Sequence, residues 1–377
     1  MIHLLKRIAW FVPRLWSLLG IALLMVIAIE ILASTWLRVT HRSENGEDYR
    51  VHADGYHDAE WVHPYFHEFE AANHAVWRSY VYWRRAPFRG RYLNIDEQGL
   101  RRTWNPPTTG GEKRPRIFIF GGSTMWGTGA RDDYTIASWL SRLLMERTGV
   151  AATVVNFGEG GYLSTQELIA LEEELQRGST PDVAVFLDGV NDVFAAFQNG
   201  VPGIPQNEAN RMREFNIDQR IYREALLTWF KESAVFALLA RPGVAAATPQ
   251  VDLDALSAKV TEHYAAFVTM IDRLARTYHF QALFFWQPVI FAKQQLTPYE
   301  HDEATKQAFL KPFYQNVYER VRDRRAWEGR VRYVGDLFAA DAGPYFIDFC
   351  HLTESGNQRI AQTIVSDVAA ALAAPAP

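Results

Sequence analysis

Ser123 stands in the run Gly121-Gly122-Ser123-Thr124, after the apolar stretch Ile117 to Phe120 and ahead of a helical period. That position exposes a hydroxyl and sets backbone N–H groups beside it. A serine hydroxyl becomes a nucleophile when a base takes its proton. His351, in Asp348-Phe349-Cys350-His351-Leu352, can be that base, and Asp348 can orient its imidazole if the segment bends like a turn. Acyl transfer also needs donors aimed at the developing oxyanion, each worth about 3 kcal/mol. Three are available by type: the Ser123 N–H, a glycine N–H from Asn156-Phe157-Gly158-Glu159-Gly160-Gly161, and the side-chain amide of Asn191 in Gly189-Val190-Asn191-Asp192. In the glycine run the donor is Gly161 or Gly160. Asp192 and Asp336 are either structural acids or substitutes for Asp348, and Asp192 reads best as a brace for its own loop. Gln287 and Pro288 read as the end of a strand.

Elements of alternating type must carry these residues to one place. Apolar runs predict strands at Ile117 to Phe120, Thr153 to Phe157, Asp182 to Asp188, Phe280 to Trp286 and Val331 to Asp336. Helical periods fall at Ile136 to Arg147, Thr165 to Gln176, Leu253 to Tyr278, Glu303 to Arg324 and Glu354 to Leu372. Strands alternating with helices predict an α/β fold with a parallel sheet, and ligands bind such sheets beyond the carboxyl ends of the strands. Ser123, Gly161 and Asn191 all follow predicted strands, so they should share one crevice.

Four blocks, GGST, NFGEGG, GVND and DFCHL, occur in the order found in the SGNH hydrolases, also called GDSL esterases and lipases, and the chain resembles that family over about Arg114 to Leu372. The resemblance implies a flavodoxin-like three-layer sandwich, hydrolysis of a carboxylic ester through an acyl-enzyme, a Ser123, Asp348, His351 triad, and an oxyanion hole of Ser123, Gly161 and Asn191. The family spacing favours Gly161 over Gly160. Gly122 departs from the pattern, because it replaces the aspartate that gives the GDSL block its name, so packing around the nucleophile must differ. The stretch Tyr92 to Arg102, YLNIDEQGLRR, is similar to the lead-in of some membrane-anchored SGNH proteins.

The segment Leu15 to Leu37 is long and apolar enough to cross a bilayer, with Glu30 as its one charge. Lys6, Arg7 and Arg14 precede it, which places the N-terminus in the cytoplasm and the remainder outside. A cleaved signal peptide, a buried core helix and a helix lying in the interface are the alternatives; the long apolar run without an A-x-A site favours an uncleaved anchor. The organisation expected is residues 1–37 as cytoplasmic tail and transmembrane helix, 38–113 as a juxtamembrane segment docking on the catalytic domain, and 114–373 as the hydrolase domain. A lid-like insertion is expected at about 193–250, amphipathic near Tyr222 to Leu239.

A net charge of −4 with no Lys/Arg stripe argues against nucleic acid as a partner. The single cysteine, Cys350, excludes an internal disulfide and a Cys-based zinc site. Gly121 to Gly129 lacks the P-loop lysine and Gly158 to Leu163 does not complete G-x-G-x-x-G, so no nucleotide cofactor is implied. His63 and His67 have helical spacing beside Glu60, Glu68 and Glu70, but Pro64 makes a continuous helix there doubtful except at its first turn, and no metal is expected. The function expected is a serine esterase removing an acyl or acetyl group from an extracytoplasmic glycan or lipid. The same triad with a sugar hydroxyl as acceptor would make an O-acyltransferase or transfer partner in cell-envelope polysaccharide modification. A lapsed site would leave a membrane-anchored assembly module. Joint retention of Ser123, Asn191, Asp348 and His351 argues against the last.

Overall fold

The computed structural model describes residues 16–18, 20–35, 48–57, 59–107, 114–219, 252–323, 329–375 and 377. The chain divides into two units, Met1–Glu47 with Ala209–Gln250 and Asp48–Glu208 with Val251–Pro377. In the first, helix α1 (Trp16–Thr35) has 20 residues and is apolar, a reach of about 30 Å that matches the hydrocarbon core of a bilayer. A signal sequence has the same character, so α1 is a candidate span. The stretch expected to be amphipathic near Tyr222 to Leu239 lies outside the described residues.

The second unit begins with α2 (Val62–Ala72), an antiparallel hairpin of β1 (Ala75–Arg78) and β2 (Tyr82–Arg85), and a shorter antiparallel pair, β3 (Phe88–Arg89) and β4 (Asn94–Ile95). Strands and helices then alternate. They run β5 (Arg116–Gly121), α3 (Ser123–Trp126), α4 (Ile136–Thr148), β6 (Thr153–Asn156), α5 (Ser164–Gln176), β7 (Val183–Asp188) and α6 (Val190–Asn199). Helix α7 (Glu208–Gln219) belongs from Ala209 onward to the first unit; the second resumes with α8 (Leu253–Tyr278), β8 (Gln281–Trp286), α9 (Pro298–Lys306), α10 (Lys311–Asp323), β9 (Val331–Tyr333) and α11 (Glu354–Ala373).

The five strands β5 to β9 form one parallel sheet in the order β6-β5-β7-β8-β9, the flavodoxin-like order of a doubly wound α/β sandwich. Successive strand residues point to opposite faces. Phe120, Phe186 and Phe284, paired in register, therefore share a face and stack at 4.9 and 5.3 Å, capped edge-on by Phe267 of α8. The opposite residues of the central strand, Val185 and Leu187, are equally buried. This is why β7 reads as one unbroken apolar run: both its faces are covered by helices.

Two expectations are corrected. The single helix expected over Glu303 to Arg324 is two helices, α9 and α10. Thr297 starts α9 with a reciprocal capping box to Glu300, and the helix ends at Gln307. It buries Glu300 and Glu303, whereas α10 buries Phe313, Tyr314 and Val317, and the turn between them lets each face meet a different environment. The irregular region expected from Val193 begins later, because α6 continues through Asn199 with Val193, Ala195 and Ala196 buried.

Candidate active site

The residues from Gly121 to Trp126 turn sharply from strand β5 into helix α3, with Gly122 at the cap and Ser123 as the first helical residue. His351 Nε2 lies 2.6 Å from Ser123 Oγ, and His351 Nδ1 lies 2.5 Å from Asp348 Oδ2. With the carboxylate accepting at Nδ1, that nitrogen carries the proton and Nε2 presents its lone pair to the serine. Asp348 also folds its own loop: Oδ1 accepts the backbone N–H groups of Cys350 and His351 at 3.0 and 2.8 Å, an Asx-type turn that brings the imidazole back onto the acid. Burial alone would raise the Asp348 pKa. His351 and the two backbone donors outweigh it and hold the carboxyl well below the usual range, so it stays ionised.

Sequence reasoning missed a cation here. Arg50 approaches Asp348 Oδ2 at 3.9 Å, fixed by Asp48 at 2.5 Å and placed over the rings of Phe66 and Phe69 at 5.2 and 4.9 Å. Thr124 makes a second link between nucleophile and base. Its hydroxyl donates to the Cys350 carbonyl at 3.3 Å and accepts from the Gln287 amide at 3.4 Å. Gln287, read as a mere strand end, is buried and helps tie β8 to this turn.

Asn191 opens α6. Its Nδ2 donates to the Tyr162 carbonyl at 2.7 Å, and its Oδ1 accepts from Gln206 at 3.4 Å. These bonds orient the amide and leave one Nδ2 hydrogen to point elsewhere. A Cβ at Gly122 would stand 2.0 Å from this Nδ2. The missing aspartate of the GDSL block thus has a steric counterpart: with Asn191 placed as it is, position 122 has no room for a side chain.

In the loop between β6 and α5, the Gly160 N–H is taken by the Glu159 carboxylate at 2.7 Å, which removes it as a free donor. Gly161 has φ +77° and lies beside the Trp83 ring, 3.4 Å from where a Cβ would be. This backbone conformation and close approach suit glycine. Strand β2 clamps the loop along its length. Arg84 donates to the Phe157 carbonyl at 3.1 Å, the Arg85 N–H to Glu159 at 3.0 Å and the Trp83 indole to the Gly160 carbonyl at 2.8 Å, while the Tyr162 hydroxyl donates to the Trp83 carbonyl. The lead-in around Tyr92 is held by Glu68, whose carboxylate accepts the N–H groups of Arg91, Tyr92 and Leu93 at 2.8, 2.9 and 3.1 Å. Arg101 is buried against Trp126 at 4.4 Å and pairs with Asp132 at 3.1 Å, holding the turn that follows α3.

The other acids do not join the triad. Asp192 accepts from the Ser164 hydroxyl at 2.5 Å, and Asp336 pairs with Arg322 at 2.5 Å on the surface. Asp188 is buried with Glu167 and Asp192 under the Asn191 turn and accepts from the Tyr264 hydroxyl at 2.7 Å. His63 and His67 are exposed on α2. Among the described residues, the His/Cys/acid group close enough to hold an ion is Asp348, Cys350 and His351, of which Asp348 and His351 are already bonded to each other.

No protein-family model matches the chain, and no curated protein matches it. Solved structures similar to it include an acetyl xylan esterase, AlAXEase, at 15% identity, covering 67% of this chain and 99% of that one with a TM-score of 0.38. Others are a lipase from a goat rumen metagenome (13%, 68% and 97%, 0.38) and a member of the lipolytic G-D-S-L family from Veillonella parvula (12%, 67% and 96%, 0.35). At such low scores these likenesses carry no argument about the site, and its chemistry is read from the geometry above.

Proposed function

We propose that the chain is a serine esterase acting through an acyl-enzyme. The observation that carries this reading is the continuous relay from Ser123 Oγ through both ring nitrogens of His351 to Asp348, at 2.6 and 2.5 Å. His351 takes the Ser123 proton as Oγ attacks the ester carbonyl carbon, and Asp348 stabilises the imidazolium. The N–H groups of Ser123 and Gly161 and the remaining Asn191 amide hydrogen hold the oxyanion. The imidazolium then protonates the departing alcohol, and water, activated by the same base, releases the acid. With α1 as an uncleaved anchor and the basic residues before it in the cytoplasm, the site faces an acyl or acetyl ester on an extracytoplasmic glycan or lipid.

The test is hydrolysis of p-nitrophenyl acetate, longer p-nitrophenyl esters and acetylated glycans by the full chain in detergent, with Ser123→Ala and Asp348→Asn beside it. Turnover should fall by about 10³-fold or more in both variants. An inert wild type that a serine-reactive phosphonate fails to label would overturn the reading in favour of a non-catalytic role.

A further inference from the structure

We propose that the face of β2 beyond the oxyanion loop is a second binding site, where Arg78, Arg84 and Arg116 line a cavity of about 410 Å³ suited to a small oxyanion on an apolar or ring-shaped body. The volume falls in the range of small-molecule sites. Its apolar lining includes Phe118, Val155 and Phe157.

Arg84 is the central observation. It is only 7% exposed, yet its guanidinium makes one hydrogen bond, from Nη1 to the Phe157 carbonyl at 3.1 Å, and otherwise lies 5.2 Å from the centre of the Tyr162 ring. Its stem passes close to Gly99, where a Cβ would stand 3.2 Å from the Arg84 Cβ and 2.8 Å from the Arg85 carbonyl oxygen. A guanidinium carries five N–H donors; beyond the bond from Nη1, those of Arg84 find no protein acceptor among the described residues and are not fully buried, so they are open to a ligand or to water. Glu159 lies within electrostatic reach but is already held by the Arg85 and Gly160 N–H groups and by the Arg85 guanidinium at 3.5 Å.

The other two arginines are more open, Arg78 exposed and Arg116 half-buried. Arg116 donates to the neutral Thr180 carbonyl and Ser179 hydroxyl at 3.3 and 2.9 Å and stacks on Phe118 at 4.9 Å. Among the described residues, no carboxylate pairs with Arg78, Arg84 or Arg116. Arg177 pairs with both Glu173 and Glu174 at 3.0 and 2.6 Å, which leaves one negative charge uncompensated there, so with Arg78, Arg84 and Arg116 the cavity lining is net positive. Three guanidinium groups without a carboxylate salt bridge, over an aromatic floor, fit a phosphate or carboxylate, whose paired oxygens match the guanidinium fork. The floor would hold the group attached to it. This argument is independent of the esterase reading.

The test uses the full chain in detergent, titrated calorimetrically with inorganic phosphate, phenyl phosphate and benzoate against chloride of matched ionic strength. Phenyl phosphate or benzoate should bind saturably and more tightly than inorganic phosphate, and which of them wins identifies the headgroup. Because Arg84 is buried and its loss endangers folding, the variants are Arg78→Gln and Arg116→Gln, each expected to weaken binding about tenfold. Arg177→Gln should change binding less than about threefold. No saturable binding of any of the three, or binding that Arg78→Gln and Arg116→Gln leave unchanged, overturns the proposal.

Discussion

A single methyl group at position 122 tests the oxyanion arrangement. Gly122 has φ −78°, which any L-residue adopts, so Gly122→Ala strains no backbone. The new Cβ would lie 2.0 Å from Asn191 Nδ2 and 3.1 Å from its Cγ, so the amide has to swing away. In doing so it gives up its hydrogen bond to the Tyr162 carbonyl, 2.7 Å in the native chain. One such bond contributes about 1 kcal/mol to stability, which corresponds to about 2–4 °C in Tm for a domain of this size. The loss in catalysis is larger, because removing one oxyanion donor lowers kcat by about 10²–10³-fold. The assay is kcat for p-nitrophenyl acetate with Gly122→Ala, Asn191→Ala and the double variant, together with thermal unfolding. If Gly122→Ala acts only by displacing Asn191, the double variant is no slower than Asn191→Ala alone. The reasoning is refuted if Gly122→Ala stays within about threefold of wild type, or if the double variant shows the product of the two single losses.

Arg50→Met keeps the stem between Phe66 and Phe69 but removes the charge 3.9 Å from Asp348. Asp348 then loses one of the groups that position it, so kcat should fall several-fold and Arg50→Lys should restore most of it; wild-type kcat in Arg50→Met sinks the idea. Trp83→Phe removes the donor to the Gly160 carbonyl, 2.8 Å away, and should lower kcat about tenfold with KM little changed. Wild-type kcat there would mean that the loop keeps its shape without β2. Burial, with Asp192 adding and a hydrogen bond to Glu167 opposing, pushes the Asp188 carboxyl up to about 7. An unfolded aspartate titrates near about 3.9, so the native state binds the extra proton and stability falls as pH rises through about 7. Asp188→Asn should flatten this slope, leaving the part that its neighbour Glu167, also raised by burial, contributes, and should stabilise the protein more at pH 8 than at pH 5, read by urea unfolding. Identical pH slopes for the two proteins would place the proton elsewhere.

What the sequence made legible was local. β5, β7 and β8 are apolar runs bounded by polar turns; apart from Arg116 and the first three residues of β8, which are half-buried, their residues are buried on both faces, so composition alone marks them. Asp348 and His351 lie close enough in sequence for one turn to join them, which spacing can reveal. The support of the site was not legible, because its partners are far apart along the chain. The hydrogen bonds from β2 to the glycine loop join residues 73 to 79 positions apart, and Arg50 meets Asp348 from the opposite end of the domain. No periodicity encodes such pairs.

One trace of them did exist. Between Trp77 and Arg85 the chain sets Trp77, Arg78, Tyr80, Tyr82, Trp83, Arg84 and Arg85 almost side by side. A flexible tether has no use for that density of aromatic rings and guanidinium groups, since each needs a ring or an acceptor once it is withdrawn from water. Arg84 and Arg85 are withdrawn, at 7% and 9% exposure, and what they meet is the loop carrying Gly161. The segment preceding β5 therefore does more than join an apolar helix to a domain. Through Arg50 at the triad acid and β2 at the glycine loop it sets the geometry on both sides of Ser123.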